Sequence, residues 1–345
     1  MAYTSPRLIR LFSQIQSAYT AFNNTSGTWT STGAQLIRID QGTLDIRRNA
    51  PYSRFPVVTG SRSELAGIRG RKNCSVSIRG VPLIPYGTTL TVPDTDHFWQ
   101  SVFGGAAAAG VYSFADTTFP IISLFAYYHG VTGATNRAVW GCVVTRVTVH
   151  FNTTFLTMDI DLMGGYAIDS IGWSAFDTQA QAGLSTFPTE PSAPTVNGYP
   201  IAGFGNGYTL TLHSNTFELK TRVLSMTIET GNELVQDVYG SAYPIAPVGN
   251  ARRVSFALST IDDQSSALND LKTQSDTDMN GSDTITASIV AGNTTGNKFT
   301  WALSGIEPNA FNMRDEGAIV MVELPTSYAH ASAVGASDDM TMTCG

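Results

Sequence analysis

The feature that most restricts the fold is an internal repeat. "LIRIDQGTLDIRR" (Leu36–Arg48) reads as strand, glycine turn, strand, and so does "LSMTIETGNELVQDV" (Leu224–Val238), with Gly42 and Gly231 in corresponding turns. A loop follows each. Then come "RKNCSVSIRG" (Arg71–Gly80) and "ARRVSFALST" (Ala251–Thr260), each a basic pair leading into an alternating strand. Short helical pieces follow, "DTDHFWQSVFGG" (Asp94–Gly105) and "QSSALNDLKTQ" (Gln264–Gln274). "YYHGVTGATNRAVWG" (Tyr127–Gly141) answers to "SIVAGNTTGNKFTWALSG" (Ser288–Gly305), each with a tryptophan, Trp140 or Trp301, after a Gly/Asn/Thr turn. "FNTTFLTMDIDLM" (Phe151–Met163) answers to "FNMRDEGAIVMVEL" (Phe311–Leu324). The order hairpin, loop, strand, helix, three strands therefore occurs twice. Short alternating runs bounded by Gly, Asn and Thr are the pattern of antiparallel sheet.

The expected architecture is mainly β: two tandem antiparallel β-sandwich or partial-barrel domains, each of about 120–140 residues and flanked by one short α-helix. A short N-terminal helix or arm is expected over 1–24, the first domain over 25–170 and the second over 208–330. Leu8, Phe12, Ile15, Tyr19 and Phe22 fall at helical spacing, Ser5 can cap, and Pro6 suits the first helical position. Residues 171–207 are expected to be a linker or surface crossing, because "STFPTEPSAPTVNGYPIAGFGNG" (Ser185–Gly207) is rich in Pro, Gly and Ser. Residues 331–345 lack a clear strand period and are expected to be a mobile tail.

Charge narrows the partners. Only 14% of the 345 residues are charged and the formal net charge is −7. Up to His150 there are 13 Arg and Lys against 6 Asp and Glu, a net of +7; the remaining 7 and 21 give −14. This asymmetry suggests a basic part of one copy meeting an acidic part of another. An acidic whole chain argues against a nucleic-acid binder. No run of about 18 apolar residues is present, so no membrane span is expected. The N-terminus is not read as a signal peptide. Cys74, Cys142 and Cys344 are few and widely spaced, which suggests reduced thiols in a cytosol.

Candidate chemistry centres on "FLTMDIDLMGG" (Phe155–Gly165), where Asp159 and Asp161 sit two apart in an apolar run. Read as a hairpin turning near Asn152–Thr153, the preceding "GCVVTRVTVH" puts Val143, Val147 and Val149 across from Leu162, Met158 and Leu156 on a core face. The other face carries Arg146, Thr148 and His150 with Thr157, Asp159 and Asp161. Arg146 then opposes Asp159, or Asp161 if the loop is two residues longer; both faces stay the same. His150 is expected toward the turn, away from both aspartates. Carboxylates at i and i+2 with a cation across the strands mark a solvated face rather than a catalytic pair or metal site. "DTDH" (Asp94–His97) is read as a helix cap by Asp94 rather than a metal cluster. No GxSxG, HExxH or Walker sequence occurs, and no metal or cofactor is expected.

The segment "NAPYSRFPVVTGSRSELAGIRGRK" (Asn49–Lys72) is long for a loop in a compact domain. With its border it carries Arg47, Arg48, Arg54, Arg62, Arg69, Arg71 and Lys72 against only Glu64. A cationic arm of this kind suits docking to carboxylates. Its counterpart, "YGSAYPIAPVGN" (Tyr239–Asn250), is shorter and uncharged.

The order hairpin, long loop, strand, short helix, three strands, with the long hairpin "GCVVTRVTVHFNTTFLTMDIDLMG", resembles the major tail tube protein of long-tailed (siphovirus-type) bacteriophages. The resemblance covers most of Leu36–Gly165 and again much of Leu224–Leu324. It implies a non-enzymatic virion protein of the phage tail, assembled in the host cytoplasm. Copies would form stacked rings, their strands joining around a lumen through which double-stranded DNA passes without specific binding. A duplicated chain would need three copies for a pseudo-six-fold ring. Arg47–Lys72 would stack rings, and polar positions such as Thr157, Asp159 and Asp161 are candidates for the lining. Other phage tail proteins would be further partners, and no membrane is involved. A tail terminator, a decoration protein and a carbohydrate-binding β-sandwich module remain as alternatives.

Overall fold

The computed structural model describes residues 9–16, 33–39, 43–49, 52–53, 68–70, 72–85, 92–128, 136–151, 154–169, 190, 208–212, 215–217, 221–236, 243–262, 269, 272–273, 285–294, 297–308, 312–317, 319–332 and 336–345. The first half supplies β1 (Ile9–Gln16), β2 (Gln35–Ile37), β3 (Leu44–Asn49), β4 (Tyr52–Ser53), β5 (Ile68–Arg69), β6 (Asn73–Pro82), α1 (Asp96–Phe103), β7 (Val111–Ser113), β8 (Ile121–Tyr128), β9 (Arg137–His150), β10 (Thr157–Gly164) and β11 (Tyr166–Asp169). The second supplies β12 (Tyr208–Leu212), β13 (Asn215–Phe217), β14 (Thr221–Glu229), β15 (Asn232–Val235), β16 (Ala246–Gly249), β17 (Arg253–Ile261), β18 (Ile285–Thr294), β19 (Asn297–Pro308), β20 (Asn312–Asp315), β21 (Val320–Ala329) and β22 (Met340–Cys344). The chain is mainly β and its sheets are antiparallel, as the alternating segments require.

One 18-stranded sheet runs through both halves. In the first half β3, β6, β10 and β9 pair in that order. β9 then pairs with β14, the first strand of a second run β14, β17, β21 and β19–β20. Among the described residues the hairpins expected over Leu36–Arg48 and Leu224–Val238 do not form, because β2 pairs with β1, β3 with β6, β14 with β17 and β15 with β16; β14 therefore matches β3, and Gly42 and Gly231 are not in corresponding turns. The end of β19 and all of β20 hold one register on β21: Ile306 opposite Ala329, Pro308 opposite Ser327, Asn312 opposite Glu323, Asp315 opposite Val320. β9 is long enough to serve two groups of strands. Its beginning lies between β8 and β11, and its end between β10 and β14. β19 divides in the same way, pairing first with β18 and β22 and then with β21.

One main core cluster draws on both halves, including Val76, Ile78, Val147 and Ile160 from the first and Met226, Phe256 and Trp301 from the second. Each such side chain contributes about 1.5–3 kcal/mol of transfer free energy, so the halves stabilise one another. α1 caps the first half, burying Phe98, Trp99, Val102 and Phe103. Asn269, Lys272 and Thr273 are helical; the rest of Gln264–Gln274 lies outside the described residues.

Both terminal expectations need correction. Ile9–Gln16 is not helical: all eight residues of β1 pair with β8, and Leu11–Ser13 also pair with β2. Leu11 joins the main core while its neighbour Phe12 enters a second cluster with Phe125, Tyr127 and Trp140. A strand covered on both faces buries consecutive residues, and a short window of such a strand imitates helical spacing. The end of the chain is not a tail. β22 inserts between β19 and β7, burying Met340 and Met342 and tying the second half back to the first. Of 171–207, only Glu190 lies among the described residues, and Arg10 Nη1 donates to its Oε1 at 3.0 Å.

The long hairpin is also corrected in detail. A register shift between Asp161 and Leu162 places Val144, not Val143, opposite Leu162, with Val147 on Ile160 and Val149 on Met158. Val143 turns to a separate cluster with Ile121 and Leu234. Arg146 opposes Asp161, the second of the two expected registers. The expected turn at Asn152–Thr153 lies outside the described residues.

Candidate functional site

A continuous polar face forms where the two runs join. Successive pairings set Asp45, Ser77, Asp161, Arg146, Glu229 and Arg253 side by side on β3, β6, β10, β9, β14 and β17. From Asp161 onward the charges alternate in sign across the strands, the arrangement that cross-strand pairs favour. A neighbouring row runs Asp159, Thr148, Thr227, Ser255, Tyr328. Thr148 and Thr227 hydroxyls meet at 3.2 Å across the joint, and the Arg253 guanidinium lies 5.1 Å from the Tyr328 ring centre.

Both aspartates are engaged by neighbouring polar groups. Asp161 Oδ1 accepts from Ser77 Oγ at 2.5 Å and Arg79 Nη2 at 2.6 Å, and its Oδ2 from Arg146 Nε at 3.0 Å and Nη2 at 2.7 Å. Asp159 Oδ1 accepts from the Gly80 N–H at 2.9 Å, and its Oδ2 lies 3.2 Å from His150 Nε2. His150 thus meets Asp159 directly, against the expectation that it lies away from both carboxylates. Arg79 Nη1 is 3.8 Å from Asp159. The face meets solvent mainly through its cations: Asp159 is 25% and Asp161 21% exposed, whereas Arg79 is 42% and Arg146 48% exposed. Partial burial raises the Asp161 pKa, but the Ser77 and Arg146 hydrogen bonds and the two guanidinium charges outweigh it, so the carboxyl lies below its ordinary value. A carboxylate held ionised in this way is a poor proton donor at neutral pH. Thr157, the third candidate on this face, is buried.

The joint is locked from the side. The Thr230 N–H donates to Thr145 O at 3.0 Å, and Thr230 Oγ1 donates to Val144 O at 2.6 Å, at the register shift of β9. Asn232 Nδ2 reaches Val144 O and Ser101 O, both at 3.2 Å. Gly231 sits between them at φ +69°, and a Cβ there would lie 2.5 Å from Asn250 O. Arg79, Thr230 and Asn232 were not singled out in the sequence. The alternation Ser75, Ser77, Arg79 places Arg79 on a polar face, but only the β6–β10 pairing brings it to Asp161.

The basic loop is described only at its borders. Arg47 and Arg48 are exposed on β3, and Arg69 lies on β5, which pairs with β4. Arg54, Arg62 and Arg71 lie outside the described residues. Lys72 is not extended to solvent: its Nζ donates to Tyr243 Oη at 3.3 Å and sits 5.6 and 5.2 Å from the ring centres of Tyr166 and Tyr243. The counterpart of this loop begins earlier than Tyr239, because β15 (Asn232–Val235) pairs with β16 (Ala246–Gly249) as an arm. β4–β5 and β15–β16 are therefore equivalent arms, each following the first strand of its run. The second arm exposes Ile245 and Val248.

At the start of α1 the N-cap is Thr95, and Asp94 does not cap it. Asp94 is buried, with Arg38 Nε 3.7 Å from Oδ2 and no partner for Oδ1. Burial, partly offset by Arg38, pushes its pKa up to about 7. Gln35 Oε1 accepts from the His97 N–H instead. Among the described residues no group of three or more His, Cys, Asp or Glu is placed to hold a metal, and no helix is long and apolar enough to cross a membrane. The three cysteines are free and buried. No protein-family model matches the chain, and no curated protein matches it at a significant level.

Proposed function

We propose that this chain is a structural virion protein, a tail tube subunit of long-tailed bacteriophages, built from two tandem β domains and forming stacked rings around a channel for genome passage. The observation that carries the reading is the β9–β14 joint: the last strand of one run pairs with the first strand of an equivalent run, and the polar rows continue across it. Copies that continue the same pattern close into a ring or extend without end, and three copies give six runs. A face of alternating, mutually neutralised charge suits a DNA conduit, because phosphate attraction scales with unpaired cationic contacts. Asp159, Asp161 and Arg146 belong to this lining, and the cationic arm over Arg47–Lys72 docks against an acidic surface of the next ring.

Negative-stain electron microscopy of the purified protein, over time and at raised concentration, tests this. Hollow tubes or stacked rings of three copies are expected. Monomers that bind a sugar saturably and never form rings would overturn it in favour of a carbohydrate-binding module.

A further inference from the structure

The row of strands β3, β6, β10, β9, β14, β17, β21 and β20 ends at β3 on one side and at β20 on the other. Among the described residues β3 pairs only with β6 and β20 only with β21. We infer that β20 of one copy pairs antiparallel with β3 of a second copy, with Met313 opposite Ile46 and Arg314 opposite Asp45. This rests on the ring reading above and names the surface that would close the ring.

The internal joint is the template. β6 corresponds to β17 through the aligned segments Arg71–Gly80 and Ala251–Thr260. Ile46 pairs with Val76, and Met226 pairs with the corresponding Phe256. Ile46 therefore stands where Met226 stands, and Asp45 where Ser225 stands. Carried onward through β10 and β21, the same correspondence puts Met313 in the place of Val149 and Arg314 in that of His150. The internal joint pairs Val149 with Met226 and His150 with Ser225. The outer joint repeats these as Met313 with Ile46 and Arg314 with Asp45.

Two independent features agree with that register. The first is hydrogen-bond parity. Arg79 N–H donates to Thr43 O, so Thr43, Asp45 and Arg47 bond toward β6 while Leu44 and Ile46 turn their backbone groups outward. Glu316 N–H donates to Ile319 O, so Arg314 bonds toward β21 and Met313 turns outward. Both members of the Met313–Ile46 pair thus offer free-edge groups. Ile46 O accepts from a side chain, Arg137 Nη1 at 3.3 Å, where a strand donor would fit. The second feature is burial. Met313 is opposite Val322 on the core face, yet it is 60% exposed, the most exposed of the large apolar side chains among the described residues. Its counterpart Val149 is fully buried under Met226. A neighbouring β3 covers Met313 and adds the Arg314–Asp45 charge pair. Unprotected strand edges are costly to leave open.

The test is disulfide trapping in the full chain. Asp45→Cys with Arg314→Cys sits at a non-hydrogen-bonded pair, where side chains approach closely. After mild oxidation this variant is expected to give covalent dimers and trimers on a denaturing gel. Arg47→Cys with Arg314→Cys, two residues out of register, is expected to give at least tenfold less. Asp45→Arg or Arg314→Glu alone should weaken association, and the two together should restore it. Wild-type rings with no trapping at the in-register pair would overturn this edge and register while leaving the tube reading intact. Wild-type protein that stays monomeric at every concentration, with no trapping, would overturn both.

Discussion

Arg146 stands directly across from Asp161, and both its Nε and Nη2 reach Asp161 Oδ2, at 3.0 and 2.7 Å. Arg79 approaches the other oxygen from β6. One carboxylate therefore ties three adjacent strands together on the polar face.

Asp161→Asn is expected to cost about 1–3 kcal/mol, because two guanidinium groups lose their charged acceptor. The folded-state pKa of Asp161 is depressed. Its contribution is present above the unfolded value of about 4 and is lost as pH falls through the lower, folded one. Urea melts between pH 7 and pH 3 should show a smaller acid loss in Asp161→Asn than in the wild type.

Asp94 has the opposite sign. Its pKa is raised to about 7, so between the unfolded value and 7 the folded protein binds more protons than the unfolded chain. Its contribution therefore falls as pH rises from about 4 to about 7 and is level above that. Asp94→Asn should stabilise the protein at pH 8 by about 1–2 kcal/mol and flatten this slope. A lower melting temperature for the variant at pH 8 would mean that the Arg38 pair outweighs burial.

Arg252 holds the C-terminal strand in place. Its Nε and Nη2 donate to the two oxygens of Asp339 at 3.0 and 2.6 Å, its Nη1 donates to Asp116 at 3.2 Å, and its guanidinium lies 3.6 Å from the Phe114 ring centre. Arg252→Met leaves Asp339 buried without its cation and should cost about 2–4 kcal/mol. Adding Asp339→Asn should recover part of the loss in thermal melts.

Gly164 lies between two thiols. A Cβ there would stand 2.5 Å from Cys74 Sγ, 3.0 Å from Val139 Cγ1 and 3.1 Å from Cys142 Sγ. Gly164→Ala should destabilise by about 1–3 kcal/mol through overpacking. Cys74→Ala in the same chain should relieve most of that strain, and melts of the single and double variants check it.

The sequence carried the strand content and the hairpin that bears the aspartates, since period-two patterning and glycine punctuation are local signals. It was less informative where a strand is buried on both sides. Leu11 and Phe12 enter different clusters, so β1 reads as a helix by spacing alone. β22 is five residues long and gains its partners only from β7 and β19.

The candidate site divides in the same way. Alternation along "LTMDIDLM" assigns Asp159 and Asp161 to one face and their apolar neighbours to the other, and no folding event can change that. Which cations meet them was decided by the tertiary structure. The register that runs unbroken from the His150–Thr157 pair delivers Arg146 to Asp161, β6 brings Arg79 from 82 residues away, and His150 closes on Asp159. The joint between β9 and β14 is likewise absent from any local pattern, because strand pairing across that separation depends on backbone hydrogen bonds and a shared core rather than on side-chain identity. Residue chemistry determined the two faces of each strand; the order of strands determined which faces became one surface.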